Sequence, residues 1–225
     1  MPDNKTIPFY ELDTRHLDLD DINKPGFING WGNLQELILH HSLERAGGAE
    51  WVVQFIQRAP KLQKLDLDFD TGEGTPEVLS RLAYGNSYPR LRELRFTTAA
   101  CLSGEDLLAF LRQSRGTLCS LHLRYISLRT LSWRKILTVL KDEFTALKSI
   151  RFLWLGGGSE GVLHFPILSQ NPFVNNHEDV DDRFAIFTRY YLGQCRNLSV
   201  DYSGPNMQAA LGALLDTAQH TVQDS

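Results

Sequence analysis

The sequence predicts an α/β solenoid, a curved parallel sheet with helices on its convex side, and three observations predict it. Five blocks share the pattern L-x-x-L-x-L: NLQELILHHS (33–42), KLQKLDLDFD (61–70), RLRELRFTTA (90–99), TLCSLHLRYI (117–126) and ALKSIRFLWL (146–155), with Ile or Phe at some apolar places. Their first leucines, Leu34, Leu62, Leu91, Leu118 and Leu147, recur at separations of 28, 29, 27 and 29 residues. Between the blocks lie segments whose apolar residues follow the period of a helix. One strand and one helix cannot bury their apolar faces alone, whereas stacked copies share one continuous core.

Taken in order, the first candidate element is TRHLDLDD, with Thr14, Leu17 and Leu19 in the three slots. It stands 20 residues before Leu34, as a shortened terminal repeat would. Each later block ends in period-2 apolar alternation, which predicts a short strand. AEWVVQFIQRA then places Trp51, Val52, Phe55 and Ile56 on one side of a helix. TPEVLSRLAYG opens with Thr75 as a cap and Pro76 at the first helical position. SGEDLLAFLRQS starts from a Ser103 cap and groups Leu107, Leu108 and Leu111. LSWRKILTVLKDEF groups Trp133, Ile136, Leu137 and Leu140.

After Leu155 the rhythm fails, for the next comparable strand, NLSVDYSG (197–204), has its leucine at 198, 51 residues beyond Leu147. The interval holds a Gly-rich loop, the polar segment SQNPFVNNHEDVDD and a predicted helix at DRFAIFTRYYLGQ. NMQAALGALLDTAQHTV, with Met207, Leu211, Leu214 and Leu215 on one face, predicts a helical end cap. The expectation is one domain over residues 1–225, with repeats over about 14–155 and a modified end over about 156–225.

This period and alternation form the unit of a leucine-rich repeat, and they resemble its ribonuclease-inhibitor-like and cysteine-containing classes. The divergent stretches LQELILHHS and WVVQFIQRAPKLQKLDLDF resemble the repeat region of fungal F-box/leucine-rich-repeat proteins. In that family an F-box docks the adaptor of a cullin-type ubiquitin ligase while the repeats hold the substrate. The resemblance therefore implies a protein-interaction module that recognises a substrate, with ubiquitin-ligase components among its partners. The F-box itself is not found, since the first repeat begins near residue 14.

Composition narrows the alternatives. Apolar content of 42% and charged content of 22% describe an ordinary globular chain. A net charge of -4 gives no general attraction to phosphate backbones, so nucleic acid is not expected as a partner. No apolar run is long enough to span a bilayer, and the start MPDNKTIPFYELD has neither the basic nor the apolar region of a signal peptide. Cys101, Cys119 and Cys195 form no C-x-x-C, which fits reduced thiols in the cytoplasm or nucleus. No cofactor and no metal site is expected.

Four motifs invite chemistry. GGGSEG (156–161) follows the apolar run RFLWL and reads as G-x-S-x-G, which would make Ser159 the nucleophile of a small serine hydrolase with Asp179 or Asp181 and His220. It also reads as G-x-G-x-x-G, with Glu178 about twenty residues on. Both need a helix after the loop, and VLHFPIL disfavours one. DLDFDTGEGTPE (66–77) imitates a calcium loop through Asp66, Asp68, Asp70 and Glu77, yet Thr71 stands where that loop needs glycine. His40 and His41 are adjacent on a strand and point to opposite faces, so they cannot share a metal. The preferred reading is a loop where the repeat is interrupted, and a further alternative has the 156–180 insertion filling the chain's own cavity.

The solenoid itself offers a binding face. Its polar strand positions form one column of Asp18, Ile38, Asp66, Arg95, His122 and Arg151. A second holds Asp20, His40, Asp68, Thr97, Arg124 and Leu153. Both run from acidic to basic over five strand spacings, roughly 24 Å. That distance exceeds the screening length of about 8 Å, so two separate patches are expected to orient a partner. Asp18, Asp20, Asp66, Asp68, Arg95, His122, Arg124 and Arg151 are the candidate partner-binding residues. Trp154 and Phe69 are candidate aromatic anchors.

Overall fold

A computed structural model of the chain describes residues 19–41, 43, 47–69, 74–85, 87–157, 161–166, 183–191 and 194–220. Five blocks of alternating sequence form five strands: β1 (Glu36–His41), β2 (Lys64–Phe69), β3 (Glu93–Ser103), β4 (Ser120–Thr130) and β5 (Ser149–Gly157). They lie side by side in chain order and pair in parallel. The block leucines align across the sheet, Leu37 with Leu65, Leu65 with Leu94, Leu94 with Leu121, and Leu121 with Ile150. The fold is α/β with a mostly parallel sheet.

A repeated backbone device sets this register. Gln35 O accepts from both Gln63 N and Lys64 N, at 2.7 and 2.9 Å. Gln63 O accepts likewise from Arg92 and Glu93, Arg92 O from Cys119 and Ser120, and Cys119 O from Lys148 and Ser149. Each strand thus begins on one carbonyl of its predecessor. Leu62, Leu91, Leu118 and Leu147, the first leucines of four blocks, are buried just before these junctions.

The crossovers are the helices α3 (Gly48–Gln57), α4 (Thr75–Tyr84), α5 (Gly104–Arg112) and α6 (Trp133–Glu143), of which neighbouring α3, α4 and α5 touch in turn. Their buried residues include every apolar position that the helical period grouped, from Trp51, Val52, Phe55 and Ile56 to Trp133, Ile136, Leu137 and Leu140. These side chains meet the buried strand positions, such as Leu65, Leu67 and Phe69, in one hydrophobic core. Most of the remaining strand positions alternate with them and stay partly open to solvent, whereas Leu153 of β5 is buried without joining that core. Ser103 caps α5 by accepting from Asp106 N, and Ser132 caps α6 by accepting from Lys135 N. Thr75 does not cap α4: Gly74 holds the cap position with no side-chain cap bond, and Thr75 is buried as the first helical residue.

Two expectations about the flanks are overturned. Leu19–Ile22 is a short helix, α1, and not a strand, so the described end of the first predicted repeat does not join the sheet, while Thr14 and Leu17 lie outside the described residues. Asp20 and Asp21 stand in its first turn, where carboxylates favour the helix dipole. The next helix, α2 (Pro25–Trp31), stacks Phe27 on Trp31 and sets Trp31 against Phe55, while Trp31 Nε1 donates to Phe55 O at 2.9 Å. At the other flank Arg183–Tyr191, predicted helical, is strand β7. Its aromatic and β-branched content suits a strand, and it pairs antiparallel with β8 (Gln194–Ser203), which itself runs antiparallel to β5. The sheet therefore has seven strands in the order β1-β2-β3-β4-β5-β8-β7. The predicted end helix is α7 (Met207–Thr217), which packs on α6 and buries Met207, Leu211 and Leu214. A small second sheet pairs β6 (Leu163–His164) with β9 (Gln219–His220). Among the described residues no helix is long and apolar enough to cross a membrane.

Candidate functional site

The open face of the large sheet collects the charged strand residues. In the middle row Ile38, Asp66, Arg95, His122 and Arg151 are successive register partners, and β8 extends the row with Asp201. In the next row His40, Asp68, Thr97, Arg124 and Leu153 follow one another, extended by Ser199. Six of the eight predicted partner-binding residues are thus brought together: Asp66, Asp68, Arg95, His122, Arg124 and Arg151. Asp20 is not, because it sits on α1, and Asp18 lies outside the described residues.

The expected separation into an acidic and a basic patch does not hold. Most of the charges pair with one on the same strand or on a neighbouring strand. Lys64 pairs with Glu36 at 2.5 Å, His40 with Asp68 at 3.5 Å, and Arg95 with Glu93 at 2.8 Å and Asp66 at 3.8 Å. Arg151 places Nε and Nη2 on Asp201 Oδ2 at 2.8 and 2.5 Å. Charges one strand spacing apart lie well within the screening length, so they neutralise locally. Asp201 belongs to neither of the two predicted columns. It stands between the buried Val200 and Tyr202, and that alternation in NLSVDYSG was the available signal.

Burial sets the titration of this face. It pushes the Asp66 carboxyl above its ordinary range, against the opposing pull of Arg95, His40 and Lys64. His122, 3.2 Å from Ser120 Oγ, is held below the usual histidine value by burial and then by Arg95 and Arg151 on either side. The neutral ring therefore separates two guanidinium groups at neutral pH.

Arg124 differs from the rest of the row. Among the described residues no carboxylate pairs with it; its guanidinium lies over the Tyr125 ring, 5.8 Å from the centroid. Tyr125 is 46% exposed and lies 6.5 Å, centroid to centroid, from the Trp154 ring. The backbone explains why these residues can share a face. Core positions run Leu94, Phe96, Ala99, then Leu121, Leu123, Ile126, then Ile150, Phe152, Leu155, so the spacing widens from two to three in each strand. Ala99 pairs with Ile126 and Ile126 with Leu155, leaving Thr98, Tyr125 and Trp154 as extra residues at one level. All three have left-handed backbone, with φ of 56°, 55° and 57°. Such a conformation costs a side-chain-bearing residue about 1–2 kcal/mol, and strained positions of this kind gather at functional sites. Trp154 is half-buried, as an anchor can be, whereas Phe69 is fully buried and belongs to the core.

No family model, curated protein or solved structure matches this chain.

The remaining motifs fare differently. Ser159, Glu178, Asp179 and Asp181 lie outside the described residues. Around them, Gly157 N donates to Gly161 O at 2.7 Å, Gly161 has φ of 82°, and Val162 bridges antiparallel to Gly156. The chain turns back into β6, so residues 161–166 do not supply the helix that either phosphate or oxyanion binding would use. His220 pairs with Leu163 on the small sheet. Asp66 and Asp68 sit on β2 and Glu77 on α4 beside Arg81, and among the described residues no group of His, Cys, Asp or Glu is arranged to hold a metal. Cys101 is exposed, and Cys119 Sγ donates to Thr117 O at 3.3 Å.

Proposed function

We propose that this chain is a non-enzymatic protein-interaction module, a leucine-rich-repeat solenoid that holds a protein partner against the open, concave face of its sheet. The observation that carries the reading is the fixed register of β1 to β5, which keeps polar positions of five strands in continuous rows over one core. Parallel sheets ordinarily have both faces covered, and a face left polar on five strands suits a partner that comes and goes. Recognition of substrates for a cullin-type ubiquitin ligase, in the cytoplasm or nucleus, is the cellular role that the repeat's resemblance supports.

The test is a quantitative pull-down from native extract. The chain is compared with an Asp66→Lys, Asp68→Lys, Arg124→Glu, Arg151→Glu variant whose circular dichroism and melting are unchanged. Proteins captured by the parent and lost by the variant are expected, with ligase subunits among them if the cellular role holds. The same captured set from both baits would remove the open face from consideration.

A further inference from the structure

Among the described residues, the ion pairs of the open face leave one of its arginines out. Glu36 pairs with Lys64, Asp68 with His40 and Asp201 with Arg151, Asp66 and Glu93 share Arg95, and burial holds His122 below the usual histidine value. Arg124 alone of the open-face arginines has no carboxylate among the described residues. Its guanidinium stands beside an exposed tyrosine and a half-buried tryptophan. Three strands hold an extra left-handed residue at this same level, which fixes the aromatic pair in place beside the cation.

We propose that Arg124, Tyr125 and Trp154 form the anchor of the binding face, and that they take an acidic peptide segment carrying an apolar side chain next to a carboxylate. This rests on the reading of the chain as an interaction module. The carboxylate meets the Arg124 guanidinium, whose planar fork suits bidentate pairing. The apolar side chain lies against the aromatic pair, which offers rigid contact area at little entropic cost. A basic segment would bring its charge against Arg124.

The experiment selects a phage-displayed random-peptide library on the immobilised full chain, then measures the recovered peptides in solution by Trp fluorescence. Peptides rich in Asp or Glu beside an aromatic or aliphatic residue are expected, with affinity that falls as salt rises. Arg124→Glu is expected to weaken them roughly tenfold or more and to shift selection toward basic peptides. Tyr125→Ala is expected to weaken them without changing the charge preference. Arg124→Lys should retain more binding than Arg124→Glu, and Arg90→Glu, an exposed charge change before β3, should alter nothing. Circular dichroism confirms that each variant folds. Recovery of neutral or basic peptides, of none, or of acidic peptides indifferent to Arg124→Glu overturns the inference. If the pull-down variant still loses its partners in that case, the interaction module survives and only its ligand chemistry is wrong.

Discussion

Tyr88 packs its ring edge-on to Phe110, 6.0 Å between centroids, and is almost wholly buried, yet its hydroxyl has no hydrogen-bond partner among the described residues. Burial accordingly pushes the phenol well above its ordinary pKa. An unsatisfied buried hydroxyl costs about 1–3 kcal/mol, so Tyr88→Phe is expected to raise stability by roughly 1 kcal/mol in urea unfolding. A second residue-scale effect is acid sensitivity. His122 and His164 are both held below the ordinary histidine value of 6.5 by burial, His122 next to Arg95 and Arg151, and His164 next to Arg196 and His220. Between each lowered value and 6.5 the unfolded chain binds more protons than the folded one. Their contribution to stability is therefore full above 6.5 and declines as the pH falls through 6.5 toward the folded values. Asp66, with a raised pKa, acts in the opposite sense nearer its own range. Melting temperature is expected to drop on acidification from about pH 8 to about pH 5, and His164→Gln to flatten that slope. An unchanged slope in the variant would assign the effect elsewhere.

Among the elements, the widened strands are the ones under conformational load. Thr98 is β-branched and left-handed, the least comfortable of the three side chains for that backbone. Asparagine tolerates the conformation far better, so Thr98→Asn is expected to stabilise by about 0.5–1 kcal/mol, read as a higher urea midpoint at equal slope. Thr98→Val keeps the branching and should give no gain. These strands also mark how far local pattern could be read. The apolar period placed the helical core of α3, α5 and α6 and the leucine rows of β1 to β5, because both depend on residues close in sequence. The step from two to three at Leu123–Ile126 was legible too, though a template of two-residue alternation passes over it and so misses Tyr125 as a facing residue. β7 could not be read locally: its strand state depends on pairing with β8, a hairpin partner that also decides which way the sheet ends. Asp20 illustrates the opposite failure, where L-D-L-D imitates a strand but two early carboxylates suit a helix start.

For the whole molecule, the five parallel strands follow one repeated pattern of contacts. Each one rests on a single carbonyl of its predecessor and buries its leucines against the next. Stability in such arrays is approximately the sum of unit and neighbour terms. Removing residues 91–117, the whole period from Leu91 up to Leu118, is expected to leave a chain that unfolds cooperatively at a lower urea midpoint. Removing only 91–103, which takes β3 and leaves α5, should abolish the cooperative transition by circular dichroism. The open-face rows were legible in the sequence for the same reason, since repeating units repeat their outward residues. What the rows lacked was their closing member, Asp201, which reaches Arg151 from a strand that breaks the period and reverses direction.

That reversal gives the array a polarity of growth. A parallel unit adds beside another by offering its first amides to the carbonyl before it, as Lys148 and Ser149 do toward Cys119. At the start of β5 that invitation is answered differently: Lys148 O receives Gly204 N, from the residue that follows β8, a strand running the other way. The carbonyl that would start a sixth unit is already taken, and the next edge belongs to a hairpin. Duplication or loss of units can therefore lengthen or shorten the stretch between β1 and β5, but it cannot proceed past β5 without first dismantling the hairpin. The antiparallel pair works as a stop codon written in hydrogen bonds, and it fixes where the row of Arg95, His122 and Arg151 must end.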